Sequence, residues 1–228
     1  MHGDRIQQIE QHVRTVMANV VVPDLKLAHD FNHVDRVRHW ALHIARDEGD
    51  IELELVEATA LLHDIGLAYV EHRKHHASVG ADMAAAFLHE HCLFPVDDIA
   101  GIAEAIRCHS SLSGGGKLGV ILRDADMLDL FGAVGLMRGF TSKYAQPEYD
   151  PHCIKGETWG ITAQDVTRRF AHGLGMGPYI VDQINFQISC YENVQTKKGK
   201  ELAQPLVAFM KMYLLQLEHE IKTGTGGS

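Results

Sequence analysis

Basic residues are in short supply in this chain. Lys and Arg number 21 against 30 Asp and Glu, a formal net charge of -9 over 228 residues. Nucleic acid is held mainly by Lys and Arg on phosphates, so this balance argues against a DNA or RNA polymer as partner. Aromatic residues make up only 7%, too few to suggest a stacking platform for bases. The four cysteines, Cys92, Cys108, Cys153 and Cys190, lie far apart. They form neither a zinc-knuckle spacing nor a disulfide framework, and the expectation is reduced thiols in a cytoplasmic protein. No apolar stretch approaches the roughly 20 residues of a membrane span. The opening MHGDRIQQIE has no signal-peptide core. Small molecules are therefore the expected partners, with no membrane. A small phosphorylated ligand stays compatible with the acidic balance, because a bound metal inverts the local field.

Strand signals are also scarce, and helical periodicity takes their place. Ile6, Ile9, Val13, Val16 and Val20 fall at helical spacing, ending at Pro23. Val34, Val37, Ala41, Ile44 and Ala45 make one face of a second helix, which Gly49 stops. A strongly apolar third helix runs over 53–62. A fourth begins near His76, and a fifth carries Asp97 or Asp98 as its N-cap. SGGGK is a turn, without phosphate-loop spacing. A helix pair around Gly132 covers 120–130 and 133–142. Residues 144–160, with Pro147, Pro151, Gly156 and Gly160, read as a long, lid-like loop. Helices follow over 163–174, 179–194 and 200–221. The fold class expected is all-α: a single helical domain over 1–222, with a metal-site core at about 27–140, C-terminal helices at about 162–222 and a flexible tail over 223–228. The long amphipathic last helix is the expected face of a homodimer.

What the chain has in excess is histidine, 16 in all, and their positions form a pattern. His33 starts the second helix, His63 and Asp64 end the third, His76 opens the fourth, and His109 ends the fifth. Asp126 lies inside the apolar LRDADMLDLFGA. An unpartnered buried carboxylate costs several kcal/mol, roughly, and a metal ion removes that cost by being the partner. Imidazole with carboxylate suits manganese, iron, cobalt, nickel or zinc better than magnesium or calcium alone. On this reading the third helix ends where it does to deliver two adjacent ligands. The other doublet, His29-Asp30, sits too close to His33 to play the same part.

His33, then His63-Asp64 in ALLHDIG, then Asp126 in DADMLD follow the order of the HD-domain superfamily, which the chain resembles over residues 27–140. HVDRV and, more weakly, TKKGKELA near Thr196 extend the resemblance to a stand-alone bacterial subgroup that includes nucleotide pyrophosphohydrolases. The resemblance implies a metal-dependent phosphohydrolase with His33, His63, Asp64 and Asp126 as ligands and manganese first among the ions. His76 and His109 fall where a second metal's histidines would stand. Asp64 is the expected catalytic residue, orienting or deprotonating a metal-bound water. Arg138, Lys74 and Arg36 are the expected contacts to a phosphorylated substrate, most simply a nucleotide, with Asp129 orienting a ligand. Met127 and Leu206 replace basic residues of the subgroup. Two alternatives share the scaffold: a di-iron oxygenase, which Leu67 in place of the lysine of such enzymes disfavours, and a nucleotide-sensing module without turnover.

Overall fold

The computed structural model describes residues 2–20 and 29–224, and among them there are helices and turns but no strand. Pro23 and residues 225–228 lie outside the described residues. The chain divides into two compact units: one runs up to Leu128 and includes 195–199, the other covers 129–194 and 200 onward. The division falls inside the 27–140 stretch expected to hold the metal core.

The first unit is built from α1 (His2–Ala18), α2 (Phe31–Glu48), α3 (Leu53–Leu62), α4 (His76–Glu90), α5 (Val96–Cys108) and α6 (Gly116–Leu128). α3 is its centre, packed against α1, α2, α5 and α6. Its sequence LELVEATALL is apolar nearly all round, as a fully enclosed helix requires, and Val56, Ala58, Ala60, Leu61 and Leu62 are all buried. Ile9, Val13, Val34 and Ile44 bring the expected faces of α1 and α2 into the same interior. Asp30 caps α2, its carboxylate accepting from the backbone N–H of His33 at 3.0 Å. Gly49 ends that helix at φ 59°.

Several helix boundaries shift from the sequence reading, and the start of α5 is the one with a clear physical reason. Pro95 precedes α5, and Asp97 and Asp98 sit inside its first turn instead of capping it. Carboxylates there face the positive end of the helix dipole, so an acidic pair marks a first turn as readily as a cap. The SGGGK turn is structural, as expected. Lys117 Nζ reaches the carbonyls of Glu48 and Gly49 at 3.1 and 2.5 Å, closing the end of α2.

The second unit contains α7 (Gly132–Ser142), α8 (Ala163–Ala171), α9 (Ile180–Ser189) with a 3₁₀ turn over Cys190–Asn193, and most of α10 (Lys197–Gly224). α10 is helical to Gly224, so the tail expected from 223 begins as helix. The 144–160 excursion is pinned within this unit. Asp182 accepts from the backbone N–H and hydroxyl of Thr158 at 3.1 and 2.8 Å, and Asn185 donates to the Lys155 carbonyl at 2.7 Å. The segment is thus fastened to α9 near both of its ends, the Pro147 and Glu148 carbonyls also accepting from Ile180 and Val181. Leu206, where the subgroup carries a basic residue, is an apolar contact beside Gly132.

Candidate metal centre

The geometry of the site starts from one crossing in the first unit. After Leu62 the chain leaves α3 through His63 and Asp64 into a 3₁₀ turn over Ile65–Tyr69. At Gly66 that turn lies against the start of α4. A Cβ there would run into the His76 carbonyl and would stand 2.6 Å from the Gly80 nitrogen. Only glycine permits this approach, and it brings the His63-Asp64 doublet beside His76.

Seven side chains converge. His29, His33, His63, Asp64, His76 and His109 are buried, and the Asp126 side chain keeps 26% of its surface exposed. Asp64 lies at the centre. Its Oδ2 is 2.8 Å from His29 Nδ1, 3.4 Å from His33 Nε2 and 3.3 Å from His63 Nε2. Its Oδ1 faces the other way, 3.4 Å from His76 Nε2 and 3.7 Å from His109 Nε2. Asp126 Oδ1 is 3.4 Å from His33 Nε2. Three ligand groupings result: His29 with His33 and Asp64, His33 with His63 and Asp126, and Asp64 with His76 and His109. Asp64 turns Oδ2 toward His29, His33 and His63, and Oδ1 toward His76 and His109.

The backbone sets the tautomers. His63, His76 and His109 each place Nδ1 against the carbonyl three residues earlier, at 2.7, 2.5 and 2.6 Å. A carbonyl only accepts, so each Nδ1 carries the hydrogen and each neutral ring turns an Nε2 lone pair inward. The buried Nε2 of His63 has no hydrogen-bond partner among the described residues. His76 Nε2 and His109 Nε2 stand 3.0 Å apart, an approach that two lone pairs resist unless a cation or proton lies between them. Two imidazoles on one metal at about 2.1 Å and a right angle would be about 3.0 Å apart. The residues therefore fit a divalent transition metal, on the orphaned nitrogen and the paired lone pairs alone.

The electrostatics agree with this picture. Burial works against a charged Asp64, but the His63 and His29 rings, with the hydrogen bond from His29, hold its carboxyl well below the usual range. Asp126 is likewise opposed by burial and brought down to about 2 by His33 and His63. His63 is disfavoured as a cation by burial, yet Asp64 and Asp126 raise it to about 9. Burial dominates at His29 and lowers it to about 4, with Arg73 adding to the shift. Enclosed and held as a carboxylate among imidazoles, Asp64 suits metal ligation.

His29 is the residue the sequence reading missed. His29-Asp30 was set aside for its closeness to His33, but the two residues divide the work: Asp30 caps α2 and His29 reaches Asp64. The signal available was the doublet itself, one turn before a ligand. Among the expected phosphate contacts, Lys74 is exposed on the turn before His76, and Arg36 is partly buried one turn beyond His33. The turn's charge felt inside the cluster is that of Arg73. Arg138 belongs to the second unit, where its Nη1 lies 2.7 Å from Asp129 Oδ2 and 3.1 Å from the Asp129 carbonyl. Asp124, first of the DAD triplet, accepts from the backbone of Gln195 and from the backbone and hydroxyl of Thr196, which gives the TKKGKELA motif a structural role.

Residues 30–130, which carry the HD doublet between a histidine and an aspartate, match the HD domain family model, and over that stretch the chain is similar to HD-domain proteins. A relative, the uncharacterized protein YpgQ of Bacillus subtilis (strain 168), is 27% identical over 227 residues, 95% of each chain. The crystal structure of Bacillus subtilis YpgQ in complex with ADP is similar with TM-score 0.61 at 25% identity, covering 96% of both chains. A predicted HD superfamily hydrolase from an uncultured Thermotogales bacterium is similar with TM-score 0.63 at 25% identity, covering 94% of this chain and 91% of that one. Among the described residues no helix is long and apolar enough to cross a membrane, and the four cysteines are free thiols.

Proposed function

We propose that the cluster holds one or two divalent transition-metal ions, manganese first among them, and hydrolyses a phosphoester or phosphoanhydride of a small nucleotide. The observation that carries the reading is the convergence of His33, His63, Asp64 and Asp126 with inward-facing Nε2 atoms. ADP bound to the similar YpgQ supports a nucleotide as the substrate class. His33, His63, Asp64 and Asp126 hold the first ion, and Asp64 with His76 and His109 holds the second. Such an ion, when bound, supplies a Lewis acid for a phosphoryl oxygen and lowers the pKa of bound water. Asp64, bound through His29, keeps both groupings in register. Asp64 would also orient the attacking water, with Asp126, the ligand with an exposed edge, beside it on the solvent side. Arg73, Lys74 and Arg36 lie on the flanking elements and offset phosphate charge. The free thiols support the expected cytoplasmic setting, and Phe209, Met212 and Leu215, exposed on α10, are where the expected homodimer face would lie.

A phosphorus NMR time course tests the reading. Manganese-loaded protein meets a panel of nucleoside mono-, di- and triphosphates beside a His63→Ala/Asp64→Ala control. The expected result is product from the wild type alone, with pyrophosphate or orthophosphate identifying the bond cleaved. Product formed equally by the control, or by neither sample, overturns the proposal.

A further inference from the structure

His29, His33, His63, Asp64, His76 and His109 all lie inside. Among the described residues at the cluster, the Asp126 carboxylate, 26% exposed, and Ser110, exposed just past the end of α5, reach solvent. Ser110 Oγ lies 3.3 Å from His109 Nε2 and 3.5 Å from His76 Nε2. It is thus a neutral hydroxyl set against the two nitrogen atoms that face one another at 3.0 Å.

The position of Ser110 is fixed from behind. The next residue, Ser111, gives its backbone N–H to the Cys108 carbonyl at 3.0 Å. Its hydroxyl lies 2.8 Å from that carbonyl and 2.5 Å from the carbonyl of Ser113. The turn carrying Ser110 therefore has its own anchors, and the Ser110 hydroxyl supports none of them.

A hydroxyl beside two imidazole lone pairs donates to one of them. That bond cannot survive metal ligation, because the metal uses the same lone pair. His76 and His109 cannot accept elsewhere, since their Nδ1 atoms already donate to the Arg73 and Ile106 carbonyls. Loading the site leaves the Ser110 hydrogen without its partner, at the mouth, on the Asp64–His76–His109 side. The acceptor that then arrives from solvent is a phosphoryl oxygen of the substrate.

Resting on the proposed phosphohydrolase reading, we infer that Ser110 is a substrate-binding residue that donates a hydrogen bond to a non-bridging phosphate oxygen at the open edge of the centre. It is not a metal ligand and not a nucleophile. Its contribution is a hydrogen bond to a charged acceptor, stronger than one between neutral groups.

The test separates metal from phosphate. Manganese is titrated calorimetrically into metal-free wild type, Ser110→Ala and Ser110→Thr; AMP is then titrated into each loaded protein. Ser110→Ala should take up manganese as the wild type does and bind AMP about tenfold or more weakly, the usual loss when a hydrogen bond to a charged group is removed. Ser110→Thr, which keeps the hydroxyl at an exposed position, should restore most of the affinity. In turnover the alanine variant should show the loss chiefly in KM. Wild-type AMP affinity in Ser110→Ala would overturn the inference, and so would loss of manganese from that variant, which would make Ser110 part of the metal site. Failure of the wild type to take up manganese would appear in the first titration and would overturn the underlying reading instead.

Discussion

Nε2 of His76 lies 3.0 Å from Nε2 of His109, and backbone carbonyls hold the Nδ1 hydrogen of both rings. Two imidazoles so fixed form half of a metal site whose other half is Asp64 Oδ1, 3.4 Å from His76. The wild type should therefore bind two manganese ions per chain. His109→Ala should bind one, because the His33, His63 and Asp126 grouping does not use it. Plasma mass spectrometry of dialysed, loaded protein reads the ratio directly. A ratio of one in both proteins would assign His76 and His109 to the fold alone.

The charge on His63 gives the protein opposite pH dependences with and without metal. Its pKa of about 9 in the folded protein lies above its unfolded value of about 6.5. A raised pKa stabilises fully below the unfolded value, so this contribution is present below about pH 6.5 and disappears as pH rises through about 9. His29 works from the other side. Its folded pKa of about 4 means that the unfolded chain gains a proton first, and stability falls as pH drops from about 6.5 toward 4. Metal-free protein should be most stable near pH 6.5. Metal must displace the His63 proton, so the rise in Tm on adding manganese should grow between about pH 6.5 and 9, where metal-free stability declines. Thermal melts across that range, with and without the ion, test both slopes. A manganese-induced rise that does not change with pH would remove His63 from the ligand set.

Gly66 carries a stability prediction free of any metal. A methyl group there collides with the His76 carbonyl and the Gly80 nitrogen, both backbone atoms with no side chain to yield. Gly66→Ala should cost about 2–3 kcal/mol or more, in the upper part of the range for overpacking, and should weaken manganese binding as well by prising the His63-Asp64 turn from α4. Urea unfolding with a parallel metal titration would show both effects. Gly101→Ala is the matching control, since a Cβ there meets nothing within 4 Å.

The parts of the fold readable in the sequence are those set by local chemistry. The apolar period of Ile6, Ile9, Val13 and Val16, the all-apolar run to Leu62 and the stop at Gly49 each reflect burial or backbone preference within one segment. His33, His63, Asp64, His76, His109 and Asp126 were legible because each sits at a helix end or in an apolar run, where a polar residue calls for a partner. His29 was not, because the doublet one turn before His33 marks the residue but does not show that its partner is Asp64, 35 residues away. The fastening of residues 144–160 escaped notice for the same reason: Asp182 lies 24 residues beyond Thr158. A loop's proline and glycine content shows that it turns; it does not show what holds it.

Arg138 tests where motif and structure part company. By motif it was an expected phosphate contact; in the structure its guanidinium meets Asp129, whose side chain is 1% exposed against 13% for the arginine. Removing one partner of such a buried pair costs up to about 3–5 kcal/mol. Arg138→Ala should lose stability on that scale, and Arg138→Gln with Asp129→Asn should recover most of it, since the remaining amides hydrogen-bond without net charge. The chain has two compact units, so a single unfolding curve is not assumed. Trp40 lies in the first unit and Trp159 in the second, and a Trp40→Phe background makes fluorescence report the second unit alone. If Arg138→Ala unfolds with wild-type stability there yet binds AMP more weakly, the guanidinium serves phosphate. Loss of stability that the double variant repairs, with AMP binding intact in the double variant, assigns Arg138 to the fold and leaves phosphate charge to the first unit's Arg73, Lys74 and Arg36.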